Sequence, residues 1–301
     1  MRIKQDDIVS INDISRLIGA SVGTLTYYAN NMESEVRERR EPKERGGVRL
    51  ITAPSEGLKR VLKSIKDTIL LQYEYPDYVY GLGGNTLREH ALVHAGEVTT
   101  VKLDVRDFYP SLKNQWVYSM WIEKFNFDPE AARILTKLTT LHGGLTQGFP
   151  TSSHIAAIVA ESFTKELDVF AKSNGLRFSQ YVDDLNLSGK AVDRRLVFKT
   201  VISLAHRSGL SIKKRKTKVT SPKDGKVITG AAVFGKQTRA TKKVRQRSIQ
   251  AIKALQADPN DEYNIQRVIG YAGFLKHLRP SDGRRFMEMA APYLPRKKQK
   301  K

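Results

Sequence analysis

QYVDDLNLSG, residues 180–189, sets two aspartates, Asp183 and Asp184, side by side between two apolar runs. They stand in a chain of 301 residues whose formal net charge is +21, from 52 lysines and arginines against 31 acidic residues. FSQYV and LNLS alternate with the two-residue period of strands, so residues 178–188 read as two strands joined around Asp183 and Asp184. Neighbouring side chains of a regular strand point to opposite faces, whereas a tight hairpin lets both converge on one ion. A carboxylate left without a partner away from water is costly. The natural partner is a hard divalent cation, and Mg²⁺ binds through one or two carboxylates plus substrate phosphates. Taken alone, the pair is also what an ordinary polar hairpin turn looks like.

A third carboxylate on a neighbouring strand would complete a two-metal site for in-line phosphoryl displacement. Asp104 is the candidate. In VTTVKLDV, residues 98–105, Val101, Leu103 and Val105 fall on one face of a strand and Lys102 and Asp104 on the other. Around these strands the spacing predicts two short helices over 11–30, the first capped by Asp13 or Ser15, loosely like a helix-turn-helix. A strand over 48–54 ends at Pro54. Helices follow over 58–73, 151–172 and 194–209, the last stopped by Gly209. Residues 226–235 read as a glycine-rich strand pair, followed by basic helices and a basic tail. Trp116, Trp121, Tyr271, Phe274 and Leu275 read as core. The order of elements is α+β, with an antiparallel sheet carrying the carboxylates and a helical C-terminal part.

The charge excess points to a polyanion, and nucleic acid is the first candidate. The basic residues lie in separate blocks, at 37–49, 213–218, 236–247 and 296–301, rather than along one amphipathic helix. No apolar run reaches the roughly 20 residues of a membrane span, and the N-terminus lacks an apolar signal region. There are no cysteines, which removes disulfides, thiol nucleophiles and cysteine-bound zinc. The expectation is a cytoplasmic protein without a membrane span, with an anionic membrane surface as the competitor to nucleic acid for the basic blocks.

Three stretches together carry a resemblance. VKLDVRDFYPSL (101–112) resembles the first palm motif of reverse transcriptases, LTQGFPTSSHIAAI (145–158) their nucleotide-pocket motif, and QYVDDLNLSG their tyrosine-x-aspartate-aspartate signature. The order and spacing are those of the family, and the likeness runs from about residue 40 to residue 235. The resemblance implies a right-hand polymerase with a ferredoxin-like palm core and a small helical thumb. Residues 1–100 would hold N-terminal helices and fingers with part of the palm interleaved, 101–235 the palm with the catalytic motifs, 236–293 the thumb and 294–301 a basic disordered tail. It implies that Asp104 and Asp183 hold two Mg²⁺ ions (Mn²⁺ as an alternative), with Asp184 completing the triad and the Val105 carbonyl as a further ligand. Tyr109 would stack under the incoming sugar and reject a 2′-hydroxyl, and Gln147 and Gly148 would border the nucleotide. Lys43, or Arg45 in another register, and Arg49 would grip the triphosphate. Lys216 would be the lysine after the catalytic hairpin, with Lys214 and Lys218 as rivals. VITGAAVFG would be the primer grip.

Two further patches resemble retron reverse transcriptases. In GGNTLREHALVHAG (83–96), Ala91 and His94 match an asparagine-alanine-x-x-histidine motif whose asparagine is replaced by His90. Ile228-Thr229-Gly230 resembles a valine-threonine-glycine motif of the thumb region, with Val227 as the alternative register. The resemblance implies a cognate structured non-coding RNA as partner, contacted through His94, Thr229 and Gly230. It implies deoxynucleoside triphosphates as substrates, priming from a guanosine 2′-hydroxyl, a branched RNA–DNA product (msDNA), and antiviral defence beside a separate effector protein. Arg239, Lys242, Lys243, Arg245 and Arg247 are expected to touch RNA backbone. The alternatives are another bacterial defence or group II intron-like reverse transcriptase, or a non-catalytic RNA-binding scaffold.

Overall fold

Small polar side chains set the starts of most helices. The computed structural model describes residues 8–42, 47–82, 84–213, 217–220 and 226–294. Lys43, Arg45, Lys214, Lys216 and the basic tail from residue 295 lie outside them. Ser10 caps α1 (Ile11–Ile18): its hydroxyl accepts from the Asp13 N–H at 3.3 Å while the Asp13 carboxylate accepts from the Ser10 N–H at 3.0 Å. This capping box corrects the expectation of Asp13 or Ser15 as the cap, since Asp13 is the box's third helical residue. Ser21 and Ser55 cap α2 (Val22–Asn30) and α3 (Glu56–Thr68) through the hydroxyl alone, accepting from the Thr24 and Leu58 N–H groups. Between those two helices, β1 (Val36–Pro42) pairs antiparallel with β2 (Val48–Pro54) as a two-stranded ribbon. Helix α3 buries Leu58, Val61, Leu62 and Ile65, the three-and-four spacing of one helix face.

The chain continues through β3 (Val79–Tyr80), α4 (Leu87–Val93), β4 (Thr99–Asp104) and the short α5 (Phe108–Ser111). Next come α6 (Asn114–Phe125), α7 (Pro129–Thr139), α8 (Ser152–Val159) and α9 (Glu161–Ser173). The single helix expected over 151–172 is interrupted at Ala160, whose backbone (φ −83°, ψ 1°) leaves the helical region. The new start is anchored by Glu161, which accepts from the Tyr73 hydroxyl at 2.6 Å and from Lys124 at 2.7 Å. The apolar stripe runs across the break, so periodicity does not reveal it. Trp121 is fully buried and Trp116 half-buried.

The main sheet comprises β5 (Arg177–Tyr181), β6 (Asp184–Gly189) and, after α10 (Arg194–Arg207), β7 (Lys218–Thr220), together with β3 and β4. Its order is β3-β5-β6-β4-β7, antiparallel except for the β3–β5 pair. The alternation read in 98–105 holds: Val101, Leu103 and Val105 are buried, while Lys102 and Asp104 face the other way and keep solvent access. Leu185 and Leu187 of β6 are buried in the same core.

A second core lies beyond the sheet. There β8 (Lys226–Ile228), β9 (Ala231–Phe234) and β10 (Gln237–Ala240) form an antiparallel sheet, followed by α11 (Lys242–Ala257), α12 (Glu262–Leu278) and α13 (Pro280–Ala290). Leu275 is buried there and Tyr271 and Phe274 pack against it. Leu87 and Ala91 of α4 belong to this core, and Tyr181 packs on it. The sequence boundaries at 100 and 235 are thus crossed by packing: α4, β8 and β9 join the C-terminal helices.

Candidate active site

Asp104 ends β4 and Asp184 begins β6, and the two are direct cross-strand partners. Directly opposed residues of an antiparallel pair share a face, with Cβ atoms about 4.5–5.5 Å apart. Asp183 sits in the two-residue loop between the paired Tyr181 and Asp184. The loop is strained, since Val182 has φ +56°, a costly left-handed conformation for a β-branched residue. Gln180, fully buried beneath it, donates its side-chain N–H to the Val182 carbonyl at 3.0 Å. Sequence reasoning gave Gln180 no role, although its place beside the aspartates was the signal.

The cations that meet these carboxylates are the chain's own. Lys102 Nζ lies 2.6 Å from Asp184 Oδ1, and the Thr229 hydroxyl donates to Asp184 Oδ2 at 3.0 Å. Lys213 Nζ is 3.1 Å from Asp107 and 4.0 Å from Asp104, and its backbone N–H bonds the Asp104 carbonyl at 2.8 Å. Lys102 was legible, because strand alternation puts it on the face of Asp104. Lys213 was passed over for its neighbours in the KKRKTK block. Lys218 of β7 is exposed and pairs in register with Lys102.

Among the described residues, no three acidic or histidine side chains are gathered around one point. Backbone register pairs Asp104 with Asp184 and leaves Asp183 in the adjoining turn, while the Asp184 side chain turns to Lys102 and Thr229 and that of Asp104 lies 4.0 Å from Lys213. The donor set still suits a hard cation. It is all oxygen, and burial followed by the charge of Asp184 holds the Asp183 carboxyl above its ordinary value although the turn reaches solvent. A cation relieves that like-charge strain.

Beside the carboxylates lies a second cluster. Tyr109, on α5, donates to or accepts from Ser153 Oγ at 3.1 Å. Desolvation raises its phenol, with the Asp183 charge raising it further and Arg49 opposing. Arg49 acts on Asp183 in the same stabilising sense, so Arg49, Tyr109 and Asp183 sense one another. Arg49 is exposed on β2, and that strand is docked on the 145–149 loop. The Thr52 N–H bonds the Gln147 carbonyl at 2.8 Å, and the Thr52 and Thr146 hydroxyls meet at 2.6 Å. Gly148 follows with φ +124°. The side chain of Val105 is buried in the core.

Behind the hairpin lies a buried polar layer. His94 is fully enclosed, with Nδ1 2.7 Å from Ser188 Oγ and Nε2 2.7 Å from Ser179 Oγ. This corrects its expected contact with RNA: both ring nitrogens are spent on β5 and β6, the strands on either side of the Asp183 turn. Thr229 and Gly230 form the β8–β9 turn, half-buried, and the Thr229 hydroxyl points at Asp184 instead of outward. Val227 is exposed. Arg239 on β10 and Lys242, Lys243, Arg245 and Arg247 on α11 are all exposed at the surface.

Burial holds His94 down at about 3, and His90 and His154 at about 4. In the unfolded chain each would take up its proton near pH 6.5. The unfolded state therefore binds more protons between pH 6.5 and the folded values. Stability is complete above that window and falls as pH drops through it, by up to about 1.4 kcal/mol per pH unit for each histidine. Urea unfolding between about pH 7.5 and 5 should show this slope, flattened by His94→Gln.

The family model described as reverse transcriptase (RNA-dependent DNA polymerase) matches residues 41–259, well over half of the chain. Among curated proteins, the chain is 28% identical over 231 residues to the retron Se72 reverse transcriptase of Salmonella heidelberg (strain 579083-10), covering 74% of this chain and 60% of that protein. It is 25% identical over 230 residues to the retron Ec86 reverse transcriptase of Escherichia coli, covering 74% and 71%. With the retron Mx65 reverse transcriptase of Myxococcus xanthus it shares 26% identity over 308 residues, covering 93% and 71%. The telomerase of Candida albicans, solved in complex with a TWJ fragment of telomeric RNA, superposes with a TM-score of 0.51 at 13% identity, over 87% of this chain and 57% of that one. This last likeness is one of fold: a right-hand polymerase of mixed helix and sheet. No described helix is long and apolar enough to cross a membrane.

Proposed function

The chain belongs to the reverse transcriptase family, and from that premise we propose that it is an RNA-directed DNA polymerase of the retron type. It copies a cognate structured non-coding RNA into single-stranded DNA. The observation that carries this reading is the Asp104–Asp184 cross-strand pair with Asp183 in the adjoining turn, beside Tyr109 and Arg49. Three carboxylates placed so in a chain of net charge +21 suit phosphoryl transfer better than a passive RNA scaffold.

Asp104 and Asp183 would hold Mg²⁺, with Asp184 and the Val105 carbonyl completing the site. When bound, such ions activate the attacking hydroxyl and stabilise the leaving pyrophosphate. The chain's own residues do the positioning. Arg49, with Lys43, offers phosphate contacts; guanidinium suits bidentate ones. Tyr109, braced by Ser153, presents its ring to the sugar of the incoming deoxynucleotide. Gln147 and Gly148 border the base, on a loop held by Thr52. Lys216 would contact the nucleotide as the lysine that follows the Asp183–Asp184 hairpin in the family. The exposed basic residues from Arg239 to Arg247 hold RNA through its phosphates, largely without reading sequence. His94 contributes to RNA recognition only by fixing α4. Priming would start from a guanosine 2′-hydroxyl of the bound RNA and leave a branched product, in a defence system with a separate effector.

The test is the nucleic acid that co-purifies with the protein expressed from its native locus, beside an Asp183→Ala, Asp184→Ala control. RNase, DNase and debranching treatment followed by sequencing should reveal DNA joined to RNA through a 2′,5′ bond, absent from the control. DNA without the branch would point to another bacterial reverse transcriptase. Bound RNA with no DNA in either sample would withdraw the polymerase reading in favour of a scaffold.

A further inference from the structure

Asp184 is held on both oxygens, and the two holders come from different parts of the chain. Lys102, on the adjacent strand, takes Oδ1 at 2.6 Å. Oδ2 receives the hydroxyl of Thr229 at 3.0 Å, from the turn between β8 and β9. That turn is a two-residue loop closed by the Ile228–Ala231 pair, with φ +44° at Thr229 and +85° at Gly230. Such a turn favours asparagine, aspartate or glycine at both positions. A β-branched residue there is strained and persists only where its surroundings over-determine it. Hairpin formation does not need a hydroxyl at 229; the bond to Asp184 does.

The hydroxyl has a second neighbour. His90 of α4 is fully buried, its ring 5.5 Å from that of Tyr80 and 5.3 Å from that of Tyr181. Its Nδ1 lies 3.4 Å from Thr229 Oγ1 and its Nε2 3.4 Å from Asn186 Nδ2. One tautomer satisfies both ring nitrogens and the Thr229 hydroxyl, while the buried Asn186 Oδ1 is left without a partner. The Asn186 amide donates to Nε2, Nδ1–H donates to the threonine oxygen, and the threonine O–H is left to donate to Asp184. Asn186 lies two residues beyond Asp184 on β6, so the relay leaves that strand, crosses α4 and the β8–β9 turn, and returns to the carboxylate.

We propose that Thr229, backed by His90, is a positioning residue for Asp184, so that the β8–β9 turn and α4 orient one of the catalytic carboxylates. The inference rests on the polymerase reading of that carboxylate. It moves Thr229 from recognition of RNA to the geometry of the site, and it gives a purpose to His90, the position at which the chain departs from the retron motif.

The test compares Thr229→Val, which keeps the shape and removes the hydroxyl, with Thr229→Ser, which keeps the hydroxyl. Extension of a generic annealed primer–template, without the cognate RNA, yields kcat and the KM for deoxynucleotide. Electron paramagnetic resonance on the same proteins, free of nucleic acid, yields Mn²⁺ affinity. A hydrogen bond to a charged group is worth about 1.5–3 kcal/mol, so Thr229→Val should lower kcat by about ten- to a hundredfold. KM should be little changed and Mn²⁺ binding weakened, with Thr229→Ser restoring both. Wild-type kcat and Mn²⁺ affinity in Thr229→Val would overturn the inference. So would equal loss in Thr229→Ser, because the hydroxyl would then be irrelevant. A wild-type protein that extends no primer would remove the polymerase reading itself, and this inference with it.

Discussion

Asp183→Asn is expected to abolish nucleotide incorporation, by on the order of a thousandfold or more in kcat, while leaving the protein at least as resistant to heat as the parent. The two halves of this result have one cause. Burial and the neighbouring charge of Asp184 penalise the ionised Asp183 carboxyl in the folded protein. A neutral amide relieves that penalty, so the change removes a charge the chemistry needs and the fold does not. Asp184→Asn should be milder in kcat, because an amide oxygen can still accept from Thr229, although the attraction of Lys102 is lost. Steady-state extension of a primed template, paired with thermal melting of each variant, checks both. A lowered melting temperature in Asp183→Asn would mean that its lost activity reflects lost structure.

Gly148→Ala is expected to cost about a hundredfold in incorporation, the penalty of displacing a positioned substrate by roughly 1 Å. A Cβ at residue 148 would collide with the Thr52 carbonyl oxygen and come within 3.0 Å of its carbonyl carbon. Neither is a flexible side chain that can swing away. The glycine also holds φ +124°, which an alanine adopts only under strain. Relief would come by parting β2 from the 145–149 loop, which would carry Arg49 away from Tyr109 and Asp183. KM for deoxynucleotide should therefore rise together with the fall in kcat. Wild-type kinetics in Gly148→Ala would mean that β2 and the loop separate freely. Thr52→Val, which loses only the 2.6 Å bond to Thr146, should have a much smaller effect.

Residue pattern alone went far with local features. The two-residue period around Asp104 and around Asp183 and Asp184 identified the three strands, and the structure pairs β4 with β6 and β6 with β5. Alternation also put Lys102 on the face of Asp104. The break at Ala160 escaped because an apolar stripe is indifferent to one non-helical residue. The cap of α1 was missed because Asp13 takes part in the capping box from inside the helix. Helices α6 and α7 were not delineated, and the tryptophans within α6 were read only as core.

The sequence by itself determined the chemistry available to this protein: three carboxylates in strand and turn, a basic exterior, no thiols, and the order of motifs that marks its family. These are properties of composition and of neighbours a few residues apart, and local periodicity carries them. Only the tertiary structure decided which side chain faces which. His94 and Thr229 both look like recognition residues in the sequence. Folding closes His94 between Ser179 and Ser188 and turns Thr229 onto Asp184. These contacts join residues 45 to 94 positions apart. They arise because α4 and the β8–β9 turn pack against the back of the Asp183–Asp184 hairpin, and no local pattern records which distant segment will be brought there.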